Sequence, residues 1–346
     1  MGSDPIRDID DIYAFGLGES ELDLLARLAG PTWFSIAGRD PSRTRVVATL
    51  LHGSEPSGIR AVHTWLAAGI TPAVNLAFYV GSVQAALLAP PFSHRMRPGA
   101  RDANRCFLPP FDGDDGRLAE ALLDRVAAVG PEALVDLHDN TGHSPAYGVG
   151  ASDDAAHLRL VDLFADKYML SDLQLGTLVE ATDAVCPSVV IECGTAGSPL
   201  AQATALAGLD RFACTHDLGL AVGGRIPIDV LHAPVRVSVA PEAQLAFGEA
   251  PVGGADLTLR SGIDRHNFDS MPMGTPIGWL ANGSSWPLAA HGAQRRDISR
   301  DLFGATTVDG RRILETRREI VPIMMTGRAD IAKQDCLFYA MQRRRG

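Results

Sequence analysis

Residues 46–58 read VVATLLHGSEPSG, and this stretch decides which fold the sequence predicts. A short apolar run rich in β-branched residues stops at His52, and Glu55 follows three residues later on a turn. Apolar runs of this length between turn residues are typical of buried strands. Because open α/β sheets bind ligands outside the carboxyl ends of their strands, His52 and Glu55 stand where they can share one metal ion.

The composition is that of an ordinary globular protein, with 346 residues, 46% hydrophobic and 21% charged. The formal net charge of −10 argues against a general binder of nucleic acid or of anionic membranes. No apolar run approaches the roughly 20 residues that span a bilayer. Five cysteines without a CxxC pair favour free thiols in a reducing compartment. We therefore expect a cytoplasmic protein with neither nucleic acid nor membrane as a partner.

Strands and helices alternate through the first two thirds of the chain, which predicts an α/β fold. We expect a mixed, mostly parallel sheet flanked by helices over residues 1–222. One of its helices is predicted over residues 152–168. After about Gly223 the pattern changes to short alternating runs with frequent Gly and Pro. This pattern predicts a smaller all-β domain over residues 223–346, which we expect to cap the site.

Polar residues of a restricted kind stand at three predicted strand ends. They are His52 with Glu55, then His138, then Glu192. Hydrolytic zinc sites use three protein ligands, of which two histidines and a glutamate are one standard set. The pattern therefore predicts one Zn²⁺ per chain on His52, Glu55 and His138, with Glu192 moving the proton. Asp136 is either a hydrogen-bond partner of a ligand or a competing ligand.

A long loop rich in Pro, Gly and Arg covers residues 90–116, and four of its arginines fall within residues 95–105. Loops of this length inside compact domains are usually functional or disordered. Arginine forks bind carboxylates and can stabilise a developing oxyanion. The alternative interpretation is a solvated basic loop.

Four short motifs together resemble the succinylglutamate desuccinylase/aspartoacylase family, which belongs to the zinc carboxypeptidase-like folds. The motifs are His52-Gly53-Ser54-Glu55, Asp102-Ala103-Asn104-Arg105, Asp136-Leu137-His138 and Ile191-Glu192-Cys193-Gly194. Their order and spacing match the family, and the resemblance extends to a β-rich C-terminal domain. It implies a zinc-dependent hydrolase of small amides.

The resemblance also implies roles for residues of the long loop. Arg97 corresponds to the family arginine that polarises the scissile carbonyl. Asn104 and Arg105 correspond to the residues that hold the α-carboxylate of the substrate. Asp102 leads the same motif, where it would order the loop.

Two positions depart from the aspartoacylase pattern. Thr182 stands where aspartoacylases carry an arginine that binds the second carboxylate of aspartate, and Asp330 stands where their C-terminal domain supplies a tyrosine. Both changes remove contacts for an acidic side chain. We therefore expect Thr182 and Asp330 to face a substrate other than N-acetylaspartate.

The sequence thus predicts a zinc-dependent deacylase that removes an acyl group from an N-acyl amino acid or a related small amide. Two alternatives stay open at this point. One is a metallocarboxypeptidase that acts on short peptides, and the other is a metal-binding protein without catalysis. The sequence leaves open the acyl group, the amino acid and whether the protein is a homo-oligomer.

Overall fold

The computed structural model describes residues 4–220, 226–292, 294, 296–334 and 336–344. The chain divides into two compact units. The first comprises the chain up to Asp139 together with Ala146–Met169 and Gln174–Asp229, and the second comprises Asn140–Pro145, Leu170–Leu173 and the chain from Val230 onward. The predicted boundary between residues 222 and 223 lies outside the described residues, and the capping of the site stays a prediction.

The first unit contains a mixed sheet with helices on both faces. Its strands are β1 (Arg7–Ile9), β2 (Thr32–Ile36), β3 (Asp40–Thr49), β4 (Val74–Val80), β5 (Ala133–Asn140), β6 (Tyr147–Gly150), β7 (Lys167–Leu170) and β8 (Ser188–Thr195). Its helices are α1 (Ile12–Phe15), α2 (Glu21–Leu28), α3 (Ser57–Ala67), α4 (Val83–Ala86), α5 (Gly113–Val129), α6 (Ala155–Asp162), α7 (Leu178–Thr182) and α8 (Pro199–Cys214).

The strands follow the order β1-β2-β4-β3-β5-β8-β6-β7. Strand β3 lies parallel between β4 and β5, whereas β2 is antiparallel to β4 and β6 to β8. The predicted α/β sheet is therefore confirmed. Because β3, β4 and β5 are parallel neighbours, the residues that follow their carboxyl ends meet at one edge.

Alternation along the strands divides the core between two faces of the sheet. Ala48 and Tyr79 belong to the cluster that packs with Leu122 of α5. Phe78 points to the opposite face, where its ring centroid lies 6.3 Å from that of Trp65 in α3. Both faces of the central strands are thus buried, which explains the apolar run at residues 46–48 of β3 and the near-continuous apolar sequence of β4.

The prediction of a helix over residues 152–168 is wrong at both ends. The helix begins later because Asp154 caps α6, accepting hydrogen bonds from the amides of Ala156 and His157 at 2.9 and 3.1 Å. It ends at Asp162, and Lys167–Leu170 forms β7 instead. Tyr168 and Met169 are buried in that strand, so sheet packing overrides the helical spacing of the sequence.

A fully buried arginine anchors the middle of the central strand β3. The Arg45 guanidinium donates to the carbonyls of Phe212, Thr215 and His216, and its Nε lies 2.5 Å from Glu132 Oε1. These carbonyls belong to the end of α8 and the residues after it, which lack helical partners. Arg45 therefore anchors the middle of β3 to the end of α8, seven residues before His52.

Replacing Arg45 by methionine is expected to lower the free energy of unfolding by about 3 kcal/mol, because it leaves the carbonyls of Phe212 and Thr215 without their side-chain donor. Arg43→Met on the same strand is the matched control. Arg43 also pairs with Glu132 but is 28% exposed, so its loss should cost clearly less than the loss of Arg45. Urea unfolding of both variants measures the difference, and equal effects would contradict the anchoring role.

The second unit is built mostly of strands. These are β9 (Asp229–Val239), β10 (Leu245–Gly248), β11 (Leu257–Arg260), β12 (Pro276–Leu280), β13 (Leu288–His291), β14 (Phe303–Val308), β15 (Arg311–Thr316), β16 (Val321–Ile323) and β17 (Phe338–Arg343), with the short helices α9 (Ser299–Leu302) and α10 (Ala329–Gln334). Strand β17 is antiparallel to β9 and β16, and β13 pairs with β9.

The other five strands of this unit form a sheet in the order β10-β11-β12-β15-β14. Leu257, Leu314 and Phe338 are among the buried residues of the core of the second unit. In the part of the chain that the structure describes, no helix combines the length and hydropathy needed to cross a membrane.

Candidate metal centre

The turn after β3 is held tightly by its neighbours. Leu50, fully buried, has a φ of 57°, which turns the chain sharply two residues before His52. The Gly53 amide donates to the carbonyl of Arg95 at 2.8 Å. A Cβ on Gly53 would lie 2.6 Å from the amide nitrogen of Ala86, so only glycine fits there. The turn and the long loop are therefore fixed against each other.

Three buried side chains converge beside this turn. His52 Nδ1 lies 2.8 Å from Glu55 Oε1, and His138 Nδ1 lies 2.7 Å from Glu55 Oε2. One ligand atom of each residue lies within 4.8 Å of the others, and each residue is at most 4% exposed. The structure thus brings together His52, Glu55 and His138, and the group can hold a metal ion.

The outer nitrogen of each histidine is held by a carboxylate. His52 Nε2 donates to Asp102 Oδ1 at 3.0 Å, and His138 Nε2 donates to Asp136 Oδ2 at 2.7 Å. Since a carboxylate only accepts hydrogen bonds, both Nε2 atoms carry the hydrogen and both Nδ1 atoms face Glu55. Metal-bound histidines typically have such partners. Asp136 is accordingly a hydrogen-bond partner of His138 in this structure.

The protonation of His52 and His138 is compatible with a divalent cation bound between them and Glu55. His52 Nδ1 is buried and makes no hydrogen bond with any described residue, although Glu55 Oε1 is close. Burial opposes protonation of His138, but Asp136 and Glu55 outweigh it and raise the pKa of His138 well above 6.5. A cation between the Nδ1 atoms and Glu55 would use the lone pair of His52 and replace the proton of His138.

Replacing Asp136 by asparagine is expected to weaken zinc binding by ~10–100-fold, because a neutral amide orients and polarises His138 less well. Competition with a chelating dye measures the affinity. Asp183→Asn is the matched control, since Asp183 accepts from His157 Nε2 at 2.5 Å outside the group. An equal loss of affinity in both variants would contradict the supporting role of Asp136.

Glu192 lies on β8, the neighbour of the strand that carries His138, and is 8% exposed. Burial raises the pKa of Glu192 to about 8; His138 opposes this rise, and Glu55 and Asp139 add to it. A carboxyl group with a pKa near neutrality can both take and release a proton. A cation bound nearby would favour its ionised form.

Asp139 is a further buried carboxylate in this region. Its Oδ2 accepts a hydrogen bond from the Ser57 amide at 2.9 Å, and its own amide donates to Glu55 Oε2 at 3.3 Å. Burial raises the pKa of Asp139 to about 6. Asp139 thus ties the first residue of α3 to Glu55, which fixes the direction in which the helix leaves the turn.

The long loop supplies a different arginine from the one that the sequence motif indicates. Arg95 pairs with Asp102 Oδ2 at 2.9 Å and with Glu55 Oε1 at 3.3 Å. Arg97 is exposed and lines a separate cavity with Tyr79. The structure therefore brings Arg95, rather than Arg97, to the metal group. Counting back from Arg105 without a gap selects Arg97, and no local signal distinguishes the two.

The remaining motif residues form a 3₁₀ turn over Ala103–Arg105. Asp102 begins the turn and accepts the Asn104 amide at 2.9 Å, so it orders the loop as well as holding His52. Asn104 is buried, and its Oδ1 accepts from the Leu178 amide at 2.9 Å. Arg105 is half-buried and donates to the Asn104 carbonyl at 2.8 Å.

The structure does not bring Thr182 to the metal group. Thr182 is buried, and its hydroxyl lies 2.9 Å from that of Ser188. Ser188 precedes Glu192 by four residues on β8, a distance of ~13 Å along an extended strand. Asp330 lies in the second unit, half exposed, 2.6 Å from Arg328. Its contact with the substrate stays a prediction.

Neither a protein-family model nor a curated protein matches this sequence. Many solved structures match the fold. A succinylglutamate desuccinylase/aspartoacylase from Rhodobacter sphaeroides is 15% identical, with a TM-score of 0.59 over 90% of this chain and 88% of its own. Murine aminoacylase 3 is 17% identical, with a TM-score of 0.55 over 89% and 97%.

The product-bound ectoine utilization protein EutE (DoeB) from Ruegeria pomeroyi is also similar, at 17% identity and a TM-score of 0.54 over 90% of this chain and 88% of its own. Several further matches are described as succinylglutamate desuccinylase/aspartoacylase proteins and cover about 90% of this chain. The chain therefore has the fold of the solved succinylglutamate desuccinylase/aspartoacylase structures.

Proposed function

We propose that the protein is a zinc-dependent amide hydrolase that removes an acyl group from an N-acyl amino acid. The observation that carries this proposal is the buried group of His52, Glu55 and His138, with Glu192 on the adjacent strand. Two imidazole nitrogens and a carboxylate form a standard ligand set of hydrolytic zinc. The solved structures of similar fold support the reaction class, since they include an aminoacylase and a desuccinylase/aspartoacylase.

The metal and the residues around it have distinct tasks in this proposal. Zinc held by His52, Glu55 and His138 would polarise the amide carbonyl and lower the pKa of a water molecule. Glu192 takes the proton from water and delivers it to the departing amine, for which its raised pKa is suited. Asp102 and Asp136 keep the histidines in the orientation that presents Nδ1.

The long loop provides the contacts to the substrate. Arg95 stands beside Glu55 and can donate to the oxygen that gains charge in the tetrahedral transition state. We assign the α-carboxylate of the substrate to the side-chain nitrogen of Asn104 and the guanidinium of Arg105, because planar donors suit carboxylates. Asn104 Oδ1 is already bound to Leu178, which fixes the side of the amide that remains to donate.

Zinc content and a substrate panel test the proposed function together. Elemental analysis of the purified protein should give one zinc per chain. The panel contains formyl, acetyl and succinyl derivatives of neutral, acidic and basic amino acids, together with short unblocked peptides. Release of the free amino acid, lost with a chelator and restored by Zn²⁺, is the expected result. Preferential cleavage of the peptides would favour a metallocarboxypeptidase, and no hydrolysis by the zinc-loaded protein would favour a non-catalytic metal-binding protein.

The two neighbouring arginines make a matched pair of variants. Arg95→Gln is expected to lower kcat by ~100-fold or more, since it removes a donor beside the metal group. Arg97→Gln should change kcat little because Arg97 lines the separate cavity. Zinc content is measured in both variants, since Arg95 also contacts Asp102 and Glu55. A larger loss of kcat with Arg97→Gln would restore Arg97 to the catalytic role that the sequence motif indicates.

A further inference from the structure

A cavity of about 60 Å³ lies at the carboxyl end of β4, in the first unit. Tyr79 and Gly81 line it from the end of β4, and Met96, Arg97 and Arg101 line it from the long loop. Strand β4 is the parallel neighbour of β3, so the cavity opens on the edge of the sheet where parallel strands bind ligands. None of the three metal-binding candidates lines it.

The long loop separates this cavity from the metal group. Arg95 and Asp102 contact Glu55 and His52, whereas their sequence neighbours Met96 and Arg101 line the cavity. One side of the loop therefore faces the metal group and the other side faces the cavity.

The cavity carries an excess of positive charge. Arg97 makes no ion pair with any described residue, and Arg101 donates through Nη1 to the Asp112 carbonyl at 3.4 Å. The carboxylate that lines the cavity is that of Asp115, and it accepts the backbone amide of Arg101 at 2.8 Å. Two guanidinium groups thus face one carboxylate, which favours an anionic occupant.

A buried phenol adds a hydrogen-bond donor. Tyr79 is 2% exposed, and its hydroxyl makes no hydrogen bond with any described residue. Burial, together with the charge of Asp136, raises the pKa of Tyr79, so the phenol stays neutral and able to donate. Among the described residues, the Tyr79 hydroxyl is not one of the fully buried polar atoms that lack a partner, so it is open to the cavity and can donate to an acceptor there.

We propose that this cavity is a binding site for a small carboxylate, recognised by the Tyr79 hydroxyl and by the guanidinium groups of Arg97 and Arg101. A volume of about 60 Å³ is room for roughly four water molecules or for a carboxylate of two or three carbons. The site goes beyond the proposed function, because its occupant is neither the amide substrate nor a ligand of the metal. An occupant would contact the cavity side of the loop, whose opposite side carries Arg95 and Asp102.

Acetate is the probe that tests the site, in the full chain, by saturation-transfer NMR at constant ionic strength with chloride as the reference anion. We expect saturable binding to the native protein and a dissociation constant raised by at least ~10-fold in Tyr79→Phe and in Arg101→Gln. Arg117→Gln is the control, since Arg117 is 62% exposed, pairs with Asp114 and does not line the cavity. His52→Ala should retain acetate binding, because the cavity does not use the metal group.

Three outcomes would overturn the proposal. They are no saturable acetate binding, unchanged binding in both Tyr79→Phe and Arg101→Gln, and loss of binding in His52→Ala, which would assign the acetate to the metal instead. Arg101→Gln changes an exposed residue and keeps the test decisive if Tyr79→Phe does not fold. None of these readouts depends on hydrolysis, so failure of the site and failure of the proposed function are distinguishable.

Discussion

Replacing Glu192 by glutamine is expected to lower kcat by ~100-fold or more while zinc stays bound. Glutamine keeps the shape and hydrogen-bonding capacity of the side chain but cannot take a proton from water. Glu192 is buried on the strand next to the one that carries His138, and no task in metal binding is assigned to it. The substitution should therefore remove proton transfer and leave the metal group intact.

The measurement compares kcat, zinc content and unfolding of Glu192→Gln with those of Glu120→Gln. Glu120 is exposed on α5 and provides a control for the same change of residue type. Near-normal turnover in Glu192→Gln would remove Glu192 from the mechanism. Loss of zinc together with turnover would show that Glu192 belongs to the ligand set instead.

Replacing His138 by alanine is expected to remove zinc and turnover together. His138 supplies one of three ligand atoms and connects Glu55 to Asp136 through hydrogen bonds of 2.7 Å on either side. Loss of a supporting partner alone typically costs ~10–100-fold in metal affinity, so loss of a ligand should cost more. Zinc per chain after dialysis at a fixed free zinc concentration, measured by elemental analysis, gives the result.

His52→Ala should have the same effect as His138→Ala, since both rings present Nδ1 to Glu55. His216→Ala is the control, because His216 is 69% exposed and lies outside the group. Full zinc occupancy in either ligand variant would contradict the assignment of the metal group, even if turnover were lost.

The part of the site that neighbouring residues form could be predicted from the sequence. Strand β3 and its turn are encoded by a contiguous run in which burial, β-branching and glycine agree, and His52 and Glu55 lie three residues apart. Alternation also places Asp136 and His138 on one side of β5, as the structure confirms.

Contacts between segments that are distant in sequence were harder to predict. The hydrogen bond between Asp102 and His52 joins residues fifty positions apart, and it depends on how the long loop folds back onto the turn. The choice of Arg95 over Arg97 depends on the same fold of the loop, because nothing in the sequence sets which arginine faces inward. The contact between Thr182 and Ser188 was not predictable either, because alignment gives a position along the chain but not its tertiary neighbours.

The sequence by itself determined the kinds of ligand atom and the strand that presents the first two of them. Those features depend on neighbouring residues, whose hydrophobic pattern and turn chemistry are local. Only the tertiary structure decided which nitrogen of each histidine faces Glu55, since that choice follows from the hydrogen bonds to Asp102 and Asp136. It also decided that the loop has one side toward the metal group and one toward a cavity, because a loop takes its direction from what it packs against.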